Sequence, residues 1–336
     1  MAKKKGKELP TVGVVGSGSF ATAIVKMLLE NAKLVHWCVR NEFVKGALEL
    51  RGHNPNYLTA VAFDVKKLKI TTDINKLVSA CDIVVLATPS IYLADAIEKM
   101  TCDYEGKLFV SAIKGIVPKH NDVVAHYLRD VFKIGFRSQA VIAGPCHAEE
   151  VAMERLSYLT IAAAEKEHID ALRELFTSDY IKVSCSKDIL GNEYSAILKN
   201  IYAIAAGIAS GLGYGDNFNA VLVSNAIREM ELFLDAIYPE HREVNDSAYL
   251  GDLLVTAYSL FSRNRNLGNL IGKGYTVKSA VQSMSMVAEG YYATRGIYEI
   301  AYEKKLKTPI INTVFSILYE GKDAEKQFKK LTEKLT

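Results

Sequence analysis

The stretch AILKNIYAIAAGIA, Ala196 to Ala209, sets one lysine in the middle of an otherwise apolar helical run. An ammonium there costs on the order of several kcal/mol unless it is paired, shifts its pKa, or opens onto a wet cleft. A desolvated lysine beside a carboxylate serves as general acid or base in interconverting an alcohol and a ketone, which makes Lys199 a candidate catalytic residue. The plainer reading is a lysine snorkelling from an interface. Asn200 adjoins it in the only polar break of that run. Further on, LGDLLVTAYSLFSRNRNLGNLIGKG gathers Asp252, Thr256, Ser262, Arg263, Asn264, Arg265 and Lys273 with four glycines. Arginine and asparagine at glycine turns offer fork-like donors suited to a phosphate monoester, and a basic surface loop would share the same composition.

A second set of residues lies nearer the start. GSGSFA, Gly16 to Ala21, follows the strand-like TVGVV and opens into the apolar helical run TAIVKMLL. In that context G-x-G-x-x-A is a dinucleotide fingerprint: Gly16 makes the tight turn, Gly18 admits a pyrophosphate, and Ala21 lets helix and strand pack closely. A glycine turn in some other α/β fold is the alternative. The next strand, LVHWCV, ends in Arg40-Asn41 rather than in an acid, so Arg40 fits the 2′-phosphate of NADP better than the free ribose of NAD. Arg40 could equally be a solvated strand end, with a real acid elsewhere. Lys114 leaves the strand LFVSAI where an open sheet places ligands, and is otherwise an exposed loop lysine. AGPCHAEEVA takes another strand into a helix, with Glu149 and Glu150 in its first turn as caps or contacts. Glu289, in MVAEGYYATRG, opens a further helical run.

The frame for these groups shows in the rhythm of the chain. TVGVVG, LVHWCV, KITTD, DIVVLATP, LFVSAI, QAVIAGP, SYLTIAAA and IKVSCS alternate with helical stretches, which implies βαβ units and a mostly parallel sheet. From Asp188 that rhythm gives way to long helical patterns, with the first helix expected to end among Gly207, Gly211, Gly213 and Gly215. The expected class is α/β: a basic disordered tail over 1–10, a Rossmann domain over 11–188, and an all-α substrate domain over 189–336.

Composition removes several functions. The chain has 336 residues, 49% of them hydrophobic, and a formal net charge of +3 with four lysines in its first seven residues. Its remainder is therefore near neutral and does not suit a broad nucleic-acid surface. MAKKKGK lacks the apolar core of a signal peptide, and Asn200 to Gly215 is too short to span a membrane. Five scattered cysteines without a C-x-x-C pair favour reduced thiols and a cytoplasmic location, with no metal site.

Taken in order, GSGSFA, ATPS, KG at Lys114, AGPCHAEEVA, LKNIYAIAAGI, GLGYGDN, LGDL, SRNR and VAEG closely resemble the bacterial-type NAD(P)-dependent glycerol-3-phosphate dehydrogenases, from about residue 11 onward. The resemblance implies hydride exchange between NADPH or NADH and the C2 carbon of dihydroxyacetone phosphate or glycerol 3-phosphate. It implies Lys199 as the acid/base, with Lys114, Asn200, Asp252 and Thr256 around the substrate oxygens and Arg263 with Asn264 on the phosphate. Ser19, Phe20, Arg40, Ala148, Val287 and Glu289 become cofactor contacts, beside Gly16, Gly18, Ala21, Lys114 and Arg263. A homodimer and a role in supplying glycerol 3-phosphate for phospholipid synthesis are implied too.

Several positions depart from the family pattern: the usual G-G-A-L-K-N reads Ser195-Ala196-Ile197-Leu198-Lys199-Asn200, Ser210 stands where an acid is common, and His147 where an aromatic is usual. The rival readings are another two-domain hydroxyacid dehydrogenase and a non-catalytic nucleotide sensor. Against the first, the position four after Lys199 is Ala203 rather than asparagine. Against the second, a sensor needs no Lys199, Asp252 and SRNR together.

Overall fold

The computed structural model describes residues 9–336, so the expected basic tail lies outside the described residues except for Leu9 and Pro10. Eight strands form one sheet: β1 (Val12–Val15), β2 (Val35–Cys38), β3 (Leu68–Thr71), β4 (Ile83–Leu86), β5 (Leu108–Ser111), β6 (Gln139–Ala143), β7 (Ser157–Ala163) and β8 (Ile181–Ser186). Each matches one of the β-rich runs. Their order is β3-β2-β1-β4-β5-β6-β7-β8, and every pair is parallel except β6 with β7. The four residues of β1, VGVV, are buried, as a central parallel strand covered on both faces requires.

Between the strands run α1 (Ser19–Leu28), α2 (Glu42–Arg51), α3 (Ile74–Ala80), α4 (Leu93–Ile97), α5 (Val124–Phe132), α6 (Ala148–Ala152) and α7 (Lys166–Phe176). After β8 come α8 (Ile189–Gly211), α9 (Asp216–Ile237), a π-helical turn (Ser247–Gly251), α10 (Asp252–Tyr258), α11 (Arg263–Gly272), α12 (Val277–Ser283), α13 (Glu289–Glu303), α14 (Pro309–Tyr319) and α15 (Ala324–Thr332). Sheet order reverses direction between β1 and β4, and a doubly wound sheet opens its ligand crevice there.

α8 is the axis of the helical half. Every residue from Ile189 to Ala209 is buried, the pattern of a helix surrounded by others. It ends among the four glycines, as expected, at Gly211, and keeps Gly207 inside the helix. The physical reason is close packing on α11: a Cβ on Gly207 would stand 2.0 Å from the Arg265 carbonyl oxygen, and one on Gly268 2.1 Å from that of Ile204. Backbones meet there because no side chain separates them. That contact fixes Lys199 on α8 relative to Arg263 and Asn264 on α11.

Candidate active site

The β1–α1 turn is built as its fingerprint requires. Gly16 has φ +126°, and a Cβ there would stand 2.5 Å from the Ala87 carbonyl oxygen at the end of β4. Trp37 Nε1 donates to the Gly16 carbonyl at 2.6 Å and fixes the turn. Gly18 caps α1, and a Cβ on it would meet nothing within 4 Å, so a phosphate group can come up to this backbone. With no acid in its first turn, α1 presents free N–H groups and positive dipole to that space. Ala21 is fully buried behind it.

A cleft of about 980 Å³ follows, lined by Gly16, Gly18 and Ser19, by Arg40, by Thr88 and Pro89, and from the helical half by Arg263, Met286 and Val287. Its length from the end of β2 to the helical half suits a dinucleotide. Arg40 is exposed at the β2 end, while Asn41 is spent capping α2 through Val44 N at 3.0 Å. The acid nearest in role, Asp73, also lines the cleft and caps α3 through Asn75 N at 2.9 Å. Glu289 accepts from Ser90 N at 2.9 Å and from Ser90 Oγ at 2.5 Å, which ties α13 to the sheet edge of the cleft. Burial pushes its carboxyl up from the usual range, against the pull of those bonds.

The cleft opens into a smaller pocket of about 180 Å³, where Phe20, Lys114, Ala148, Lys199, Asn200, Asp252, Thr256, Arg263, Asn264, Val287 and Glu289 meet. Lys199 is 4% exposed and Asp252 1%. The Lys199 ammonium donates to Asp252 Oδ1 in a short contact and to Thr256 Oγ1 at 3.0 Å. The Thr256 hydroxyl donates to the Asp252 carbonyl at 2.6 Å, leaving its lone pairs toward the lysine. Lys114 Nζ donates to Asp252 Oδ2 and to the Gly144 carbonyl, both at 3.3 Å. One carboxylate thus lies between two ammoniums.

Burial lowers Lys199 to about 7; Asp252 pulls it up and Lys114 pushes it further down. Burial alone would raise Asp252, but Lys114 and Lys199 hold it below the usual carboxylate range. An aspartate held toward its ionised form therefore sits beside a lysine whose pKa is brought close to neutrality.

Arg263 opens α11, whose N-terminus is capped by Ser262 Oγ accepting from Arg265 N at 3.2 Å. Arg263 also lines the smaller pocket, so a guanidinium and the N-terminal end of a helix, with its positive dipole, both face that space. Asn264 Oδ1 accepts from Gly290 N at 2.9 Å and pins the start of α13. Asn200 Nδ2 donates to the Lys114 carbonyl at 2.8 Å, joining α8 to the loop after β5. Glu149 lines the pocket as well.

Two members of the basic segment stand apart. Arg265 reaches Ser210 Oγ at 3.4 Å, and Lys273 caps the far end of α11. Conversely Cys146, His147 and Phe261 line the smaller pocket, and the residue types alone did not single out Cys146 or Phe261. The only signal for Phe261 was its place directly before Ser262-Arg263. The His147 ring lies 6.3 Å from that of Phe261 and is lowered by burial, with help from Lys199 and Lys114, to about 4.

A doubly wound sheet with a cleft at its switch point, faced by a helical half carrying a buried lysine–aspartate pair, defines a nucleotide-dependent dehydrogenase. Comparison narrows that class. The family models described as NAD-dependent glycerol-3-phosphate dehydrogenase N-terminus and C-terminus match residues 11–169 and 188–329. A glycerol-3-phosphate dehydrogenase [NAD(P)+] of Chlorobium limicola is 33% identical over 94% of this chain and 95% of its own. One from Staphylococcus epidermidis is 33% identical over 96% and 98%. The crystal structure of glycerol-3-phosphate dehydrogenase from Coxiella burnetii superposes with a TM-score of 0.90 at 26% identity, over 97% of this chain and all of the other. The chain belongs to the NAD-dependent glycerol-3-phosphate dehydrogenase family and is, with it, an NAD(P)-dependent oxidoreductase.

Proposed function

We propose that this chain reduces dihydroxyacetone phosphate to glycerol 3-phosphate, and catalyses the reverse reaction, with Lys199 as the general acid/base. The observation that carries this reading is the Lys199–Asp252–Lys114 cluster in a pocket that the cofactor cleft and the α11 N-terminus share. A bound nicotinamide supplies or accepts the hydride at C2. In reduction, charge develops on the C2 oxygen and protonated Lys199 gives it a proton, leaving an alcohol and a neutral amine. Asp252 keeps its charge and aims the ammonium, while Lys114 offers a second positive charge to the same oxygens. Thr256 accepts from Lys199 and restricts its rotamer, and Asn200 holds the loop of Lys114. Lys199 recovers its proton from solvent, a step its pKa near 7 makes easy.

Arg263, Asn264 and the α11 N-terminus take the phosphate. Gly16, Gly18, Ser19, Phe20 and Ala21 shape the dinucleotide turn, Arg40 meets the adenosine end, and Lys114, Ala148, Arg263, Val287 and Glu289 surround the nicotinamide end. The reading includes the division into domains over 11–188 and 189–336, a homodimer, a cytoplasmic location and supply of glycerol 3-phosphate to phospholipid synthesis. Among the described residues no helix is long and apolar enough to cross a membrane.

The phosphate assignment is tested by comparing dihydroxyacetone phosphate with unphosphorylated dihydroxyacetone. Wild type is expected to prefer the former strongly, and Arg263→Ala to lose about two to three orders of magnitude of that preference, as a lost charge-assisted fork implies. An unchanged preference in Arg263→Ala would place the phosphate elsewhere.

A further inference from the structure

Asp188, the N-cap of α8, and Asn192, Ser195 and Lys199 within it recur at spacings of four, three and four, so all four lie along one face of the helix, over about three turns. Each of them touches the short segment that ends at Asp252. Tyr249 OH donates to Asp188 Oδ2 at 3.0 Å, and Asn192 Nδ2 stands 3.5 Å from the same hydroxyl. Ser195 Oγ is shared between the Asn192 carbonyl at 2.9 Å and the Ala248 carbonyl at 3.4 Å. The last member, Lys199, meets Asp252 itself. The stripe therefore zips α8 to the π-helical turn, with the reacting pair as its final contact.

At its far end the stripe is held by charge. Asp188 caps α8 through Gly191 N at 2.8 Å and takes Arg242 Nε at 2.5 Å, and the Arg242 side chain is only 3% exposed. None of Asp188, Arg242 or Tyr249 lines the cofactor cleft or the substrate pocket. A buried ion pair away from ligand adds little net stability over apolar packing, and its best-attested use is to fix a register. The register in need of fixing is evident: Asp252 follows a π-helical turn, closed by Gly251 N to the Asp246 carbonyl at 3.5 Å, a weak geometry that packing must hold.

We propose that Asp188, Arg242 and Tyr249, with Ser195, are positioning residues that lock the π-helical turn onto α8 and so set how Asp252 meets Lys199. Ser195, which departs from the family pattern, then has a role: its hydroxyl adds a rung one turn before the lysine. The charged and titratable groups facing Lys199 are Asp252 on α10, Lys114 after β5, and Cys146 and His147 before α6. Of these only Asp252 stabilises the ammonium. Loosening its approach lowers the lysine's pKa further and misaligns the proton transfer.

The inference rests on the acid/base reading of Lys199, and the test separates the two. Tyr249→Phe and Ser195→Ala each delete one hydroxyl and keep the apolar packing. The expected result for Tyr249→Phe is a kcat for dihydroxyacetone phosphate reduction lower by about tenfold, with KM for the nicotinamide cofactor unchanged. The fall of kcat on the alkaline side moves to lower pH by roughly half a unit, with a smaller displacement in Ser195→Ala. Glu229→Gln, which weakens a cap on α14, is the control: Tm falls and the alkaline limb stays in place. A limb that moves in either stripe variant but not in the control supports the inference. Limbs and kcat unchanged in both stripe variants, or displaced equally in Glu229→Gln, overturn it while wild-type turnover keeps the acid/base reading. Absence of a wild-type alkaline limb overturns that reading, and the inference with it.

Discussion

Lys199 justifies its burial through one partner, and that arrangement has a pH signature. On the proposed acid/base role of Lys199, reduction draws on the ammonium and its rate falls as pH rises through about 7, whereas oxidation draws on the free amine and gains rate over the same window. Opposite limbs in the two directions, read from kcat against pH, are the expected outcome; parallel limbs would assign the titration to another group. Burial, with Lys199 and Lys114 nearby, lowers the His147 ring to about 4, which leaves it neutral at the pH where Lys199 titrates. His147→Phe is accordingly expected to leave the profile from neutral to alkaline pH in place. Arg40 is exposed at the β2 end of the cleft, and on the proposed reading Arg40→Ala is expected to raise KM for NADPH about tenfold more than KM for NADH, the scale of one charge-assisted contact. Equal effects on the two cofactors would make it a solvated strand end.

α8 owes its position to glycines as much as to its apolar surface. Gly207→Val is expected to destabilise the protein by about 1–3 kcal/mol and to lower kcat, because the α11 backbone must back away and take Arg263 with it. Thermal unfolding together with kcat checks both consequences. This contact was not legible in the sequence, where four glycines in nine residues signal a helix end; the partner that makes two of them useful lies some sixty residues on. The strands were legible because each is a short β-rich run bounded by polar helical segments. Lys199, Asp252 and Arg263 were legible by residue type, whereas Cys146 and Phe261 enter the pocket through packing, Phe261 signalled only by its place before Ser262-Arg263. Glu229, on α9, is another case of distant partnership: it accepts from Ile310 N and Ile311 N at 2.8 and 2.9 Å and caps α14. Burial raises its carboxyl from 4.5 to about 8, so its folded form binds a proton that the unfolded chain has released. Stability from this group is full below about 4.5 and is lost as pH rises toward 8. Glu229→Gln should therefore flatten the dependence of Tm on pH across that window, leaving the part due to Glu193, which burial also raises to about 8.

Across the chain, the sheet contributes the dinucleotide turn and Lys114, while the helical half contributes Lys199, Asp252, Arg263 and Glu289. Neither half holds a complete site. Contacts such as Ser90 with Glu289, Lys114 with Asp252 and Asn200 with the Lys114 carbonyl cross between them, so the residues of the proposed site meet only when the halves are in register. The homodimer belongs to the proposed reading, and sedimentation of monomer alone at micromolar concentration would remove it. The decisive measurement is steady-state oxidation of NADPH and of NADH with dihydroxyacetone phosphate, wild type beside Lys199→Ala. The account expects turnover in the wild type that falls by about two to four orders of magnitude in the variant, as loss of a general acid/base requires, with cofactor binding retained. Near-wild-type turnover in Lys199→Ala, or none in a wild type that binds the cofactor, would refute it.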